Sequence, residues 1–484
     1  MSKEILINVE TQEKRVAIVG DGRLEEFSIE RPQDKTIVGN IYKGRIEAVL
    51  PSLGAAFVDI GMPKKGFLYL SEIESAYEAL EPQDLKPANK PKPKIEKGQD
   101  VLVQVVKESF GTKGPRLSCH IGLAGRYLVL MVQESQVGIS RRIEDDEERK
   151  RLRQILLELK LPKDVGFIVR TAAWGKSKQE LLRDANFLIK LWKRMEKTIQ
   201  MRKTPAIIYE EYDLTLRAIR DSFTDDVAKL IVDSKAEYYR IKNFMKTFMS
   251  YLTNKVELYR GDNLFEDKDI ERHIGKIFES KVYMKSKAYI IIEPTEGLVV
   301  IDVNSGGYTK RLNQEDTAFK VNCEAANEVA RQLKLRDLGG IIVIDFIDME
   351  KESHRRELLN TLKRALHNDR AKYDILGISK FGLVEMTRER VHKTVHTLSH
   401  QSCPYCGGKG KVKSPVTMSI YAFKELKRFL KGKNLREVNL ALNPTVTDEV
   451  LKEKSSLKMI ENKFRTKINL ISNPALHVED IRIS

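Results

Sequence analysis

Val300-Ile301-Asp302-Val303-Asn304-Ser305-Gly306-Gly307 is a run in which an acid ends a wholly apolar strand and an asparagine follows two positions later. Side chains alternate faces along a strand, so Asp302 and Asn304 emerge on one face if the strand continues. The pattern recurs in Ile341-Ile342-Val343-Ile344-Asp345-Phe346-Ile347-Asp348. Between the two runs, residues 316–337 carry a helical pattern that Gly339-Gly340 closes in the way a left-handed C-cap requires. A strand, a helix and a strand permit parallel pairing, and open α/β sheets bind ligands at the carboxyl ends of such strands. Asp302 and Asp345 then converge.

Converging carboxylates that leave room for water suit hard, octahedral Mg²⁺, whose shell the phosphate oxygens of a substrate complete. Such an ion lowers the pKa of a bound water and neutralises charge on the transition state. Asn304 would orient the scissile phosphate or the attacking water, and Asp348 is a third candidate. The competing reading is structural: both acids cap strand ends or pair with Arg or Lys.

Outward from this core, 484 residues suggest three or four domains. With 41% hydrophobic and 32% charged residues the balance is globular, and no apolar run approaches the ~20 residues that cross a bilayer. Glu4 and Glu10 close in on the first apolar stretch, Ile5 to Val9, and acids so placed are what a secretory signal would not tolerate, so the chain reads as cytoplasmic. An excess of 85 Lys and Arg over 69 Asp and Glu gives +16 and attracts polyanions, nucleic acid first. The competing reading is a basic surface that serves solubility. Four cysteines are too few for a disulfide framework, and the close pair Cys403 and Cys406 reads as a metal or redox site.

Along the chain, Ile5 to Val9, Arg15 to Val19 and Leu24 to Ile29 form short strands around the hairpin signal Gly20-Asp21-Gly22. Ile41 to Val49, Gly54 to Ile60, Lys65 to Leu70 and Val101 to Val106 suit a small barrel, interrupted by a basic, proline-rich loop from Pro82 to Lys94. A charged helix spans 142–161, and Asp184 reads as the N-cap of another with Leu188, Leu191, Trp192, Met195 and Ile199 on one face. Helices run from 214 to about 278. In Gly166-Phe167-Ile168-Val169-Arg170-Thr171 a strand ends in a fork donor and a hydroxyl, a pairing suited to a terminal phosphate. A glycine-rich knuckle at 403–410, a lysine-rich helix over 417–431 and a short αβ tail end the chain, which has no internal repeats.

Val300 to Asp348, read with Lys380-Phe-Gly-Leu-Val-Glu-Met-Thr-Arg-Glu-Arg390 and Cys403-Pro-Tyr-Cys-Gly-Gly-Lys-Gly410, closely resembles the ribonuclease E/G family over essentially the whole chain. The resemblance implies an endoribonuclease that cuts single-stranded RNA by Mg²⁺-dependent hydrolysis. It would leave a 5′-phosphate and a 3′-hydroxyl, favour 5′-monophosphorylated RNA, and serve rRNA and tRNA processing and mRNA decay. It implies Asp302 and Asp345 as magnesium ligands assisted by Asn304. In architecture it implies a ribonuclease H-like domain (1–38 and 215–278) with an inserted OB-fold RNA-binding barrel (39–124) and a 5′-phosphate sensor region (125–214). A deoxyribonuclease I-like catalytic domain (279–400), a zinc-link (401–413) and a small C-terminal dimerisation domain (414–484) follow.

The family's RNA contacts fall on Phe57, Phe67 and Lys113, with Lys107 nearby, and its 5′-phosphate pocket on Arg170, Thr171, Gly125 and Val129. Bases stack on exposed aromatics while lysines neutralise phosphates, although both phenylalanines could instead fill the barrel. Cys403 and Cys406 present two thiolates to a tetrahedral Zn²⁺. The other two ligands are His392, His396 or His400, or the same knuckle of a second subunit, and the resemblance favours the shared zinc of a homodimer. A redox pair is a further alternative, though no thioredoxin-like βαβ pattern surrounds the cysteines. The chain ends at Ser484, soon after the small domain, so the resemblance is to the short form without a scaffold tail. The runner-up is a non-catalytic RNA-binding or ribosome-assembly factor, and a third reading is a nuclease acting on DNA. Simple binding has no use for the set Asp302, Asn304 and Asp345.

Overall fold

The computed structural model describes residues 3–73, 95–109, 113–132, 137–158, 165–295, 297–307, 313–367, 369, 371–389 and 401–484. It divides into two compact units, 1–398 and 399–484. The loop from Pro82 to Lys94 and His392, His396 and His400 lie outside the described residues. Among those described, no helix is long and apolar enough to cross a membrane.

In the first unit β1 (Lys3–Val9), β2 (Lys14–Gly20) and β3 (Arg23–Glu30) form an antiparallel meander. Asp21 and Gly22, both at positive φ, make the two-residue hairpin between Gly20 and Arg23. β4 (Ile41–Leu50), β5 (Ala55–Asp59), β6 (Gly66–Tyr69), β7 (Asp100–Lys107) and β8 (Arg116–Ser118) follow. Their order β4-β5-β6-β8-β7, closed by β4 on β7, is a five-stranded barrel. Ile46, Val58, Leu68, Val103, Val105 and Leu117 fill it. Gly44 is required within β4, because a Cβ there would press on Val58 at 2.6 Å.

Next, β9 (Gly122–Ala124), β10 (Leu128–Val132), β11 (Val137–Ile139) and β12 (Val165–Val169) make a second small sheet, with α1 (Asp146–Glu158) between the last two. α2 (Lys178–Met201) starts earlier than expected, capped by Ser177 in a capping box with Glu180. Asp184 is therefore not an N-cap: it lies inside the helix, buried.

β13 (Ala206–Tyr209) pairs with β4, and α3 (Leu214–Ser222), β14 (Val227–Val232), α4 (Lys235–Phe248), β15 (Val256–Leu258), α5 (Leu264–Asp267) and α6 (Ile270–Gly275) follow. The all-helical stretch expected here is thus broken by two strands. Short apolar runs such as Val227 to Val232 are ambiguous in sequence, and here pairing decides them: β14 lies parallel to β1 and β15 parallel to β14. One sheet, β15-β14-β1-β2-β3, joins the two segments, with the barrel inserted between them.

Asp213 caps α3 and bonds Lys14 at 2.8 Å and Arg240 at 2.7 Å, tying β2, α3 and α4 together. Burial pushes its carboxyl up, but hydrogen bonds from Arg240 and Lys14 pull it further, down to about 2. A folded value below the unfolded one stabilises the fold above the ordinary carboxylate range and is lost as pH falls through about 2. Asp213→Ala should cost about 2 kcal/mol at neutral pH. In urea titrations its gap to the wild type should narrow as pH drops below about 4. A gap constant with pH would remove the carboxylate from this account.

The third region holds β16 (Lys281–Tyr283), β17 (Tyr289–Pro294), β18 (Leu298–Asn304), α7 (Gln314–Leu335), β19 (Gly340–Asp345), α8 (Glu352–Leu366), β20 (Tyr373–Ile378) and β21 (Leu383–Arg388). The sheet order is β16-β17-β18-β19-β21-β20, with β18 and β19 parallel. α7 and α8 cover one face, where Ile301, Val303, Ile342 and Ile344 pack on Val321, Ala325, Val329 and Leu358. The left-handed residue ending α7 is Asp337 (φ 47), not a glycine of the pair 339–340, and Leu338 N–H returns to the Leu333 carbonyl at 3.0 Å. Aspartate tolerates this conformation, and its carboxylate is held by Arg388 at 3.0 Å.

The second unit runs from the knuckle into α9 (Pro415–Leu430), β22 (Glu437–Leu442), α10 (Pro444–Lys452), α11 (Lys454–Phe464), β23 (Lys467–Ser472) and β24 (Ile481–Ile483). β23 lies parallel to β22 and β24 antiparallel to it, and Leu426, Leu440, Leu442 and Val450 form the core.

Candidate active site

The parallel register of β18 and β19 sets Asp302 directly beside Asp345, on strands about 4.8 Å apart. Ile301, Val303, Ile342 and Ile344 point into the helices, so the two acids and Asn304 occupy the opposite, open face. Asn304 Nδ2 donates to Asp302 Oδ2 at 2.7 Å. The Asp345 carboxyl is raised above its usual value by partial burial, then by the charges of Asp302 and Asp348. Among the described residues the charged neighbours that act on Asp345 are the acids Asp302 and Asp348.

Oxygen donors crowded by like charge suit a hard cation. Among the described residues no cluster of three or more His, Cys, Asp or Glu could hold a metal, and Mg²⁺, which keeps several waters, is held by one or two carboxylates. The pair therefore fits that ion.

Two positioning residues on α7 escaped the sequence reading. Asn322, fully buried, donates to the Ile347 carbonyl at 2.7 Å and accepts from the Ile347 N–H at 3.0 Å. Glu315 accepts from the amides of Glu350 and Lys351. Together they fix the loop that follows Asp345 and carries Asp348. A polar residue inside the apolar stripe Ala318, Asn322, Ala325 was the available signal.

On the barrel, Phe57 and Phe67 are cross-strand partners with rings 6.1 Å apart. They alternate with the buried Ala56, Val58 and Leu68, so they face outward and do not fill the interior. Tyr69 extends the row at 5.1 Å from Phe67, and Arg116 lies over its ring at 4.9 Å; neither was singled out from the sequence. Lys107 and Lys113 are exposed, and residues 110–112 lie outside the described residues.

Around β12, Arg170 donates to the Gly125 carbonyl at 2.6 Å and to Asp221 at 2.7 Å. Its backbone N–H meets the Tyr127 carbonyl, which puts it on the sheet face of Val129. The Thr171 hydroxyl is 3.1 Å from that of Ser140. Asp184 underlies this site: its carboxylate accepts from the amides of Arg126, Tyr127 and Leu128. Burial pushes that carboxyl up against the pull of the three amides. A Cβ on Gly125 would meet Asp184 Oδ2 at 2.6 Å, so the turn demands glycine.

Residues 122–391 match the model of the ribonuclease E/G family, more than half of the chain. The chain belongs to the ribonuclease E/G family. Residues 35–120, which span the barrel, match the S1 RNA-binding domain, and 402–484 match the family's thioredoxin-like domain. Ribonuclease G of Escherichia coli K12 is 40% identical over 465 residues, 95% of each chain. Ribonuclease G of Haemophilus influenzae is 40% identical over 93% of this chain and 92% of its own. Ribonuclease E of the same organism is 40% identical over 98% of this chain but 51% of its own length, so the match is end to end with the short members.

In this ribonuclease E/G chain Cys403 is exposed and Cys406 half-buried. Amides of Cys406 and Tyr405 hold the Cys403 thiol below its usual value, and the Gly410 N–H donates to Cys406 Sγ at 3.3 Å. Such an amide-lined turn fits a thiolate metal ligand. His477 Nε2 meets the Tyr405 carbonyl at 2.6 Å, which docks the knuckle on the small domain. One expectation is corrected: β22, α10, α11 and β23 do form a βαβ unit with parallel strands. The pair nevertheless lies in a turn, and α9 begins only at Pro415, so no helix N-terminus activates a cysteine as redox chemistry prefers.

Proposed function

We propose that this chain is a cytoplasmic endoribonuclease that hydrolyses single-stranded RNA at a magnesium ion held by Asp302 and Asp345. It leaves a 5′-phosphate and a 3′-hydroxyl and serves rRNA processing and mRNA decay. The observation that carries the reading is the register of the two acids on adjacent parallel strands, in a chain whose relatives are named ribonuclease G and ribonuclease E. When bound, Mg²⁺ activates a water and stabilises charge on the phosphate. Asn304, by donating to one oxygen of Asp302, fixes that carboxylate's orientation. Asn322 and Glu315 hold the adjoining loop in place. Phe57 and Phe67 take bases on their faces while Lys107 and Lys113 meet phosphates.

The same reading takes residues 1–38 and 215–278 as a ribonuclease H-like domain, supported by the sheet β15-β14-β1-β2-β3, and 279–400 as a deoxyribonuclease I-like domain. Arg170 and Thr171, with Gly125 and Val129 shaping the pocket, receive a 5′-monophosphate. Asp221 holds the Arg170 fork until a phosphate takes its place. A zinc ion held by Cys403 and Cys406 joins two subunits.

The test is cleavage of single-stranded RNA with and without Mg²⁺, on 5′-monophosphorylated and 5′-hydroxyl substrates. Cleavage should require the metal, and binding without cleavage would favour a non-catalytic RNA-binding factor. Arg170→Ala should slow the monophosphorylated substrate about tenfold and leave the hydroxyl substrate nearly unchanged. Equal losses on both would sink the sensor assignment.

A further inference from the structure

The open face of the catalytic sheet carries an aromatic pair for which the mechanism above has no use. Tyr289 is the cross-strand partner of Asn304, and Tyr283 of Tyr289. Directly opposed residues emerge on one face, so Asn304, Tyr289 and Tyr283 form a row. Beside it runs the row Asp345, Asp302, Ile291 and Lys281. The two rings lie 5.8 Å apart, and Lys281 Nζ sits 3.7 Å from the centroid of Tyr289 and 5.0 Å from that of Tyr283. Tyr283 is 66% exposed. The loop that follows Asn304 rests on Tyr289: Gly306, at φ 53, has room for no Cβ, which would lie 2.6 Å from the Lys287 carbonyl and 3.3 Å from the ring.

A lysine on an edge strand is ordinarily explained as protection against pairing with another sheet. That accounts for Lys281 but not for two tyrosines in its company on the face of the carboxylates, on the first and second strands beyond that of Asp302, within about 10 Å of it across the sheet. Among the described residues Lys281 makes no ion pair, and its contacts are the two rings. Tyr283 and Lys281 stand on the outermost strand of the sheet, where the ring of Tyr283 is open to solvent.

The geometry points to a nucleobase-stacking subsite in which Tyr283 and Tyr289 receive the base of a nucleotide flanking the phosphate at Asp302 and Asp345. Lys281, which covers the rings without RNA, turns to that nucleotide's phosphate. Ring faces accept any base and a lysine neutralises any phosphate, so the subsite fixes the register of the strand across the carboxylates without selecting a sequence. The inference rests on the nuclease reading above.

The test uses the full chain, Mg²⁺ and a short single-stranded RNA with one cleavage site, in which an abasic nucleotide is placed in turn at each flanking position. For the wild type, one position should raise KM about tenfold when its base is removed. Tyr283→Ala should raise KM on intact RNA by a similar factor with kcat within about twofold, and should abolish the dependence on the base at that position. Tyr283→Phe should restore both. An unchanged KM, or a raised KM with the abasic profile intact, overturns the subsite. Asp345→Asn run alongside separates the two readings: its inactivity leaves the nuclease standing if the subsite fails, whereas near-normal cleavage by it removes the nuclease reading first.

Discussion

Asp302→Asn and Asp345→Asn should each lower kcat for single-stranded RNA at least about a thousandfold, a loss of roughly 4 kcal/mol of transition-state stabilisation. RNA binding measured without turnover should change by less than about twofold, because the outward aromatic row of Phe57, Phe67 and Tyr69 lies on the barrel, in a different sheet. The substitution is nearly isosteric, and both acids stand on the open face, away from the packing of Ile301, Val303, Ile342 and Ile344 on the helices. A fold effect is therefore small, and what is removed is charge. The Asp345 variant also relieves the repulsion that Asp302 and Asp348 exert on that carboxyl, so its stability should be equal to or above the wild type. Near-normal turnover by either variant at saturating Mg²⁺ refutes the assignment.

The carboxylate pair was legible because its chemistry follows from local pattern: apolar runs that end in an acid, separated by a helix, leave few ways to arrange two strands. The same logic failed where the deciding partner is far away in sequence. Val227 to Val232 is a strand because β1, more than two hundred residues earlier, offers it a parallel edge, and no window around residue 227 contains that fact. Asp184 looked like a cap because aspartate often is one. Its actual partners, the amides at 126–128, are set by how α2 docks on the second sheet. Tyr289 and Tyr283 carry no signal of their own in the sequence, and only the register with Asn304 puts them in the row beside the acids. Periodicity reports which face a residue takes, whereas site membership depends on which strands are neighbours.

Cys403→Ser combined with Cys406→Ser should release zinc and raise the dimer dissociation constant at least about a hundredfold, since structural zinc in small domains contributes on the order of 10 kcal/mol. The argument is one of valence. A structural zinc takes four ligands, and among the described residues the knuckle offers two sulfurs and no cluster of three or more metal-binding side chains. The missing pair comes from a second copy of the knuckle or from His392, His396 and His400. The histidine route would close the site within one chain and give no reason for zinc to affect association. The shared route makes metal content and mass move together, and RNA cleavage should fall as the subunits separate. Elemental analysis and light scattering on the same sample distinguish the two: about one zinc per two chains, with chelation producing monomers, is the shared site. One zinc per chain retained by a monomer assigns the remaining ligands to the histidines and removes zinc from the association of subunits.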